Sequence, residues 1–133
     1  MSQERRTVLV VDDDPFVRKM VHAYLDGLNM NVLEAADSKS AREQISKNGF
    51  DLVFLDVVLP EASGYDLCDF IRHDSRHKDV LVLMMSARAF PEDRAEAEEL
   101  GADGYIVKPF SRRAFVDQVQ EVLSRTREQR GDA

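Results

Sequence analysis

A single cysteine, Cys68, stands in a chain of 133 residues, so no internal disulfide can brace the fold. A reducing compartment, the cytoplasm, suits such a chain, and Cys68 reads as a small apolar residue on a helix. Long hydrophobic runs are missing too. The longest, such as Val80 to Met85, fall far short of the roughly 20 apolar residues that cross a bilayer. The opening segment, Met1-Ser2-Gln3-Glu4-Arg5-Arg6, has no apolar stretch of the kind a secretion signal needs. Basic residues are in the minority: 18 Lys and Arg face 25 Asp and Glu, for a formal net charge of −7. That balance argues against a surface built to grip nucleic acid directly. It leaves room for an acidic domain that controls a separate nucleic-acid-binding module. No Gly-x-x-x-x-Gly-Lys phosphate loop, internal repeat or low-complexity tract occurs.

What is present is enough for one packed domain. Hydrophobic residues make up 44% and charged residues 32% of the chain, and its length leaves no room for a second ordinary domain. Apolar runs alternate with helical patterns throughout. Val8 to Val11 reads as a strand, and Asp14-Pro15 as the N-cap and first position of a helix. Apolar residues at Val17, Met20, Val21, Tyr24, Leu25 and Leu28 fall on one helical face. A short strand fits Asn31 to Glu34. Ser38 is a candidate cap for a helix to about Lys47, closed by Asn48-Gly49 with the glycine left-handed. Leu52 to Leu55 is the next strand. A loop through Pro60 and Gly64 then leads to a helix from Tyr65 to His73. Val80 to Met85 is another strand, Pro91 opens a helix ending at Leu100-Gly101, and Tyr105 to Val107 is the last strand. Ser111 caps a final helix carrying Phe115, Val119, Val122 and Leu123 on one face.

Five strand–helix pairs result. Strands that are apolar on both faces belong in a parallel sheet covered by helices, and right-handed crossovers make that a three-layer, doubly wound α/β fold. Residues 1–126 are expected to form this domain, and 127–133 a polar tail that frays or begins a linker.

In such a sheet the C-terminal ends of all strands share one edge, where ligands bind. The first strand ends in Asp12-Asp13, the third in Asp56, the fourth in Ser86 and the fifth in Lys108-Pro109. Three carboxylates gathered there repel one another by about 1 kcal/mol per pair at roughly 4 Å in water, and more in a cleft. Lys108 offers one compensating charge and a divalent cation two. A hard, all-oxygen ligand set without histidine or thiolate favours Mg²⁺ over zinc. A carboxylate beside Mg²⁺ and an ammonium is equipped to receive a phosphoryl group, with Asp56 attacking in line and Ser86 donating a hydrogen bond to the product.

The sequence resembles the receiver domain of response regulators in two-component signal transduction, from about Thr7 to Thr126. The matching motifs are Val10-Val11-Asp12-Asp13-Asp14-Pro15, then Asp51 to Asp56 with Leu59-Pro60 and Gly64, then Met85-Ser86-Ala87-Arg88, and Gly101 to Phe110. The resemblance implies a (βα)5 flavodoxin-like fold with strand order 2-1-3-4-5. It makes Asp56 the phosphoacceptor. Asp13 becomes a direct metal ligand, Asp12 acts through a water, and the Val58 backbone carbonyl adds a further ligand. Ser86 and Tyr105 take the places of the switch pair, Lys108 pairs with the phosphoryl group, and the Lys108-Pro109 bond is expected to be cis. Val58 and Arg88 border the phosphoryl group and bear on its lifetime. An apolar Val58 cannot orient an attacking water and Arg88 can screen or contact the phosphate, so spontaneous dephosphorylation is not expected to be among the fastest. The donor is expected to be a histidine kinase or phosphotransfer protein docking near Phe16 to Met20. The output is a surface from about Ala89 to Arg125 (fourth helix, fifth strand, fifth helix) that also allows a homodimer.

Plainer readings compete. Asp14 is read as a helix N-terminus only, and Glu92 to Glu99 as a solvated face or a loosely held, shifting helix. His73 and His77 are spaced for one helix face, but their polar setting fits a solvated helix end, while His22 looks structural and without a partner. An enzyme resembling the haloacid-dehalogenase phosphohydrolases needs a second aspartate two residues after its nucleophile, where this chain has Val58. A switch, not a turnover enzyme, is therefore expected. A phosphorylation-independent interaction module with the same fold remains the alternative.

Overall fold

The computed structural model describes residues 5–77 and 79–131. Five parallel strands form the central sheet: β1 (Arg6–Val11), β2 (Met30–Ala35), β3 (Leu52–Asp56), β6 (Leu81–Ser86) and β7 (Gly104–Val107). Their order is β2-β1-β3-β6-β7, the expected 2-1-3-4-5. Between β3 and the next helix lies a hairpin of two short antiparallel strands, β4 (Val58–Leu59) and β5 (Ala62–Ser63), where a plain loop was expected. Helices α1 (Pro15–Leu25), α2 (Ser38–Lys47), α3 (Gly64–His73), α4 (Pro91–Glu99) and α5 (Arg112–Gly131) cover the sheet.

Two apolar layers sandwich the sheet because its strands are buried on both faces. One gathers Leu9, Val11, Val53, Leu55, Val82 and Met84 against α2 and α3, where Cys68 is fully buried. The other gathers Val8, Val10, Phe54, Leu83 and Met85 against α1 and α5. In the second layer Phe115 lies between Phe54 and Phe110, with ring centroids 5.0 and 5.2 Å away. Burial first, opposed by Arg72, pushes the Cys68 thiol up to about 11, so it stays protonated and inert at neutral pH.

Several local expectations are corrected. Asp37, not Ser38, caps α2, its side chain accepting from the Ser40 N–H at 2.8 Å. Gly49 is not left-handed, since Asn48 ends α2 in an extended conformation; the left-handed glycines are Gly27 and Gly101. His77 is not on the α3 helix face with His73. It sits in a 3-10 turn, Ser75–His77, and is buried, while His73 stays exposed on α3. His22 is not without a partner: its Nδ1 lies 3.5 Å from Glu34. Helix α5 runs through Gly131, and Asp132 and Ala133, at the end of the expected tail, lie outside the described residues. Among the described residues no helix is long and apolar enough to cross a membrane.

Candidate functional site

The site forms where the strand ends are tied down by backbone hydrogen bonds. Asp12 N–H donates to the Ala35 carbonyl at 3.1 Å, Val57 N–H to that of Met85 at 3.0 Å, and Lys108 N–H to that of Ser86 at 2.7 Å. These ties bring Asp12, Asp13, Asp56, Ser86 and Lys108 to one edge of the sheet. A close backbone approach completes the floor. Gly64 opens α3 with its N–H on the Val57 carbonyl at 2.7 Å, and a Cβ there would overlap the carbonyl oxygen of Asp56. Only glycine fits at that point.

Asp12 is fully buried, Asp56 is 7% exposed, and Asp13 faces solvent. One carboxylate oxygen from each of the three lies within 4.8 Å of the others. The Lys108 ammonium bridges two of them, at 2.7 Å from Asp12 Oδ2 and 3.1 Å from Asp56 Oδ2. Asp12 Oδ1 accepts from the Asp14 N–H at 2.9 Å, and Asp56 Oδ1 from the Val58 N–H at 3.1 Å. One ammonium does not balance three acids. Burial, and then the charge of Asp12, raise the Asp56 carboxyl above its ordinary value, against the opposing pull of Val58 N–H and Lys108. Burial disfavours the Lys108 ammonium, but its bond to Asp12 and the charges of Asp12 and Asp56 outweigh that and raise its pKa. A cluster of oxygens with surplus negative charge has the chemistry of a hard divalent cation site.

The raised value at Asp56 has a consequence for stability. A group with a higher pKa in the folded than in the unfolded chain stabilises the fold most below its unfolded value. That contribution is lost as pH rises through the folded value. Ionised Asp56 therefore works against folding at neutral pH. Asp56→Asn should raise the thermal midpoint at pH 7 by about 2–5 °C, the equivalent of relieving one like-charge contact of about 1 kcal/mol. The gain should vanish below the ordinary carboxyl value of 3.8, as differential scanning across pH would show.

The remaining expected residues take distinct places. Ser86 is buried, and its Oγ accepts from the Arg88 N–H at 3.0 Å. Tyr105 is buried, and its hydroxyl donates to the Arg88 carbonyl at 2.9 Å. The Lys108-Pro109 peptide bond is cis. Val58, two residues after Asp56, is 66% exposed, and Phe16 at the start of α1 is 77% exposed. The Arg88 side chain pairs with Asp93 at 3.1 Å. Two participants carry no signal in the sequence pattern. Arg18 of α1 donates to the Asp12 carbonyl at 2.7 Å while its Nε holds Glu34 at 2.9 Å, bracing the loop that bears the acidic pair. Asp93, inside an acidic stretch, is the other.

Known proteins resemble this chain in sequence and in fold. Residues 8–120 match the family model of the response regulator receiver domain. The chain is 38% identical over 120 residues to the phosphate regulon transcriptional regulatory protein PhoB of Escherichia coli, covering 90% of this chain and 52% of that protein. It is 36% identical over 126 residues to the transcriptional regulatory protein SrrA of Staphylococcus aureus, covering 95% of this chain and 50% of that one. The chain thus spans about half the length of these curated relatives. The structure of the chemotaxis response regulator CheY4 of Vibrio cholerae superposes with a TM-score of 0.84 at 32% identity, over 89% of this chain and 98% of that one.

Proposed function

The chain belongs to the response regulator receiver domain family, and on that premise we propose that it is a switch set by phosphorylation of Asp56. The carrying observation is the setting of that carboxylate: at the end of β3, 3.1 Å from the Lys108 ammonium and grouped with the Asp12 and Asp13 carboxylates. Asp12, Asp13, Asp56 and the Val58 backbone carbonyl would hold Mg²⁺, which supplies positive charge for the transferring phosphoryl oxygens. Asp56 provides the attacking oxygen, and Lys108 offsets charge on the same oxygens. Ser86 then donates its hydroxyl to the phosphoryl group and Tyr105 moves with it, through the Arg88 backbone that both contact. The face of α4, β7 and α5 changes shape for an output partner or a second copy of the chain. Phosphate contacts must differ between the two states for this to work, since a group with no preference shifts nothing.

Residues 1–126 are the receiver unit of this proposal and 127–133 a tail or the start of a linker. The donor is a phosphohistidine on a histidine kinase or phosphotransfer protein, and the setting is the cytoplasm. The acidic balance, −7 overall, fits a domain that does not itself contact nucleic acid.

The test is incubation with acetyl phosphate and Mg²⁺, followed by intact mass and hydroxylamine treatment. One hydroxylamine-labile adduct is expected on the native protein and none on Asp56→Asn. A protein that gains no mass from any donor, a phosphorylated histidine kinase included, would instead be an interaction module with this fold. Continuous release of inorganic phosphate without a trapped adduct would favour a phosphohydrolase. Ser86→Ala should accept the phosphoryl group but switch poorly. Amide exchange over α4 is expected to respond to phosphorylation at least fivefold less than in the native protein, and an unchanged response would remove Ser86 from the mechanism.

A further inference from the structure

The rim of the site contains an ion pair that the phosphoryl chemistry does not use. Asp93 lies in the first turn of α4 with its side chain only 8% exposed, and its Oδ1 is 3.1 Å from the Nε of Arg88, which is itself 63% exposed. The other oxygen of Asp93, Oδ2, is buried with no hydrogen-bond partner among the described residues. A carboxylate in this position depends heavily on its one cation. The rest of the first turn offers little support. The N-cap, Phe90, supplies no side-chain hydrogen bond, and the helix buries only Asp93 and Ala97. A contact from the Tyr65 hydroxyl to the Asp93 carbonyl is long, at 3.5 Å.

Arg88 also stands two residues beyond Ser86, at the edge where Asp56 sits. Its backbone is held at both ends by the expected switch pair. Ser86 Oγ accepts its N–H at 3.0 Å, and the Tyr105 hydroxyl donates to its carbonyl at 2.9 Å. Any movement of Ser86 or Tyr105 therefore moves the root of the Arg88 side chain. The exposed guanidinium is free to swing, whereas buried Asp93 is not.

We propose that Arg88 is shared between Asp93 and a phosphoryl group on Asp56, so that phosphorylation withdraws the counter-charge that seats the first turn of α4. This rests on Asp56 being the acceptor. A phosphoryl group brings about −1.5 to −2 charges and three acceptor oxygens, and a guanidinium binds such a group through two parallel hydrogen bonds. Asp93 offers a single close contact. When Arg88 turns to the phosphoryl group, Asp93 is left as a buried charge without a partner. The first turn must then open to let it reach water. Asp93 and the phosphoryl group compete for one cation, and the competition is the coupling between site and helix. Reciprocity makes it measurable from either end: removing the charge of Asp93 must strengthen the modified state, but only while Arg88 is present.

The experiment is a double-mutant cycle. Affinity for beryllium fluoride in the presence of Mg²⁺, a stand-in for the phosphoryl group, is measured for the native protein, Asp93→Asn, Arg88→Met and the double variant. Asp93→Asn should bind about two- to fivefold more tightly, the worth of one partly exposed ion pair, and Arg88→Met more weakly. In the Arg88→Met background the Asp93→Asn change should have no effect. Amide exchange across residues 92–95 should rise in unliganded Arg88→Met to the level the native protein shows when liganded. An equal effect of Asp93→Asn with and without Arg88, or no effect in either, overturns the shared-arginine proposal. The acetyl phosphate adduct on the native protein is read in parallel. If it forms while the cycle shows no coupling, only this proposal falls; if it does not form, the switch reading falls as well.

Discussion

Gly64→Ala should lower the unfolding free energy by about 3 kcal/mol, because the added methyl has no room to enter and no flexible side chain to displace. Its Cβ would overlap the Asp56 carbonyl oxygen and stand 2.9 Å from the carbonyl carbon and 3.0 Å from the Val57 Cα. All three atoms are backbone, at the end of the strand that carries Asp56. Relief requires β3 and the start of α3 to part, which also strains the Gly64 N–H bond to the Val57 carbonyl, now 2.7 Å. The effect on function should exceed the effect on fold. Moving the Asp56 carboxylate by even a fraction of an ångström from Lys108 should slow phosphorylation more than tenfold in conditions where the variant is still folded. Urea unfolding and the rate of adduct formation check both parts. A variant within about 0.5 kcal/mol of the native protein, phosphorylating at the native rate, would mean the approach is looser than described.

The second large effect concerns Lys108. Asp12 is fully buried and Lys108 is its only ion-pair partner among the described residues, at 2.7 Å. Lys108→Met keeps much of the side-chain volume and removes the charge. Buried acids that lose their partner destabilise by about 3–5 kcal/mol. Some relief comes from the Asp14 N–H, which also bonds Asp12, and from water entering a site whose lysine is itself partly accessible. About 2–4 kcal/mol is therefore expected. Asp12→Asn combined with Lys108→Met should recover at least half of the loss, because Asp12→Asn removes the stranded charge. Chemical denaturation of the four proteins provides the measurement, and additive losses would show that the pair is not what stabilises this edge.

How much of this the sequence revealed depended on the kind of signal. Four of the five sheet strands centre on apolar runs, which have few other uses in a chain of this size, and β2, with Asn31 and Glu34 in it, was placed by its position between two helical patterns. Asp12, Asp13, Asp56, Ser86 and Lys108 were legible for the same reason, being the polar residues that follow those runs. The hairpin of β4 and β5 was not, since strands of two residues carry no periodicity. Asp37 and Ser38 are adjacent capping residues, and only the backbone shows that Asp37 accepts the Ser40 N–H. At Asn48-Gly49 the residue types suit a left-handed end, but the chain leaves α2 extended, running directly to Phe50, which enters the core beside Ile45. His77 is flanked by polar residues and read as solvated, yet the 3-10 turn folds it inward. Asp93 was hidden in the acidic stretch from Glu92 to Glu99. Nothing in composition separates it from its neighbours, and only its register on α4 turns it toward Arg88. Arg88 was read as a residue for the phosphate, and its pairing with Asp93 adds a competitor to that reading.

Asp56 is the centre of the account. Its most direct test is to phosphorylate the protein with acetyl phosphate or a phosphorylated histidine kinase in Mg²⁺, reduce the acyl phosphate with borohydride, and locate the product by peptide sequencing in a mass spectrometer. The expected result is one reduced aspartate, at Asp56, with Asp12 and Asp13 unmodified and no product when Mg²⁺ is chelated. A phosphoryl group trapped on another residue, or no modification from either donor, would contradict it.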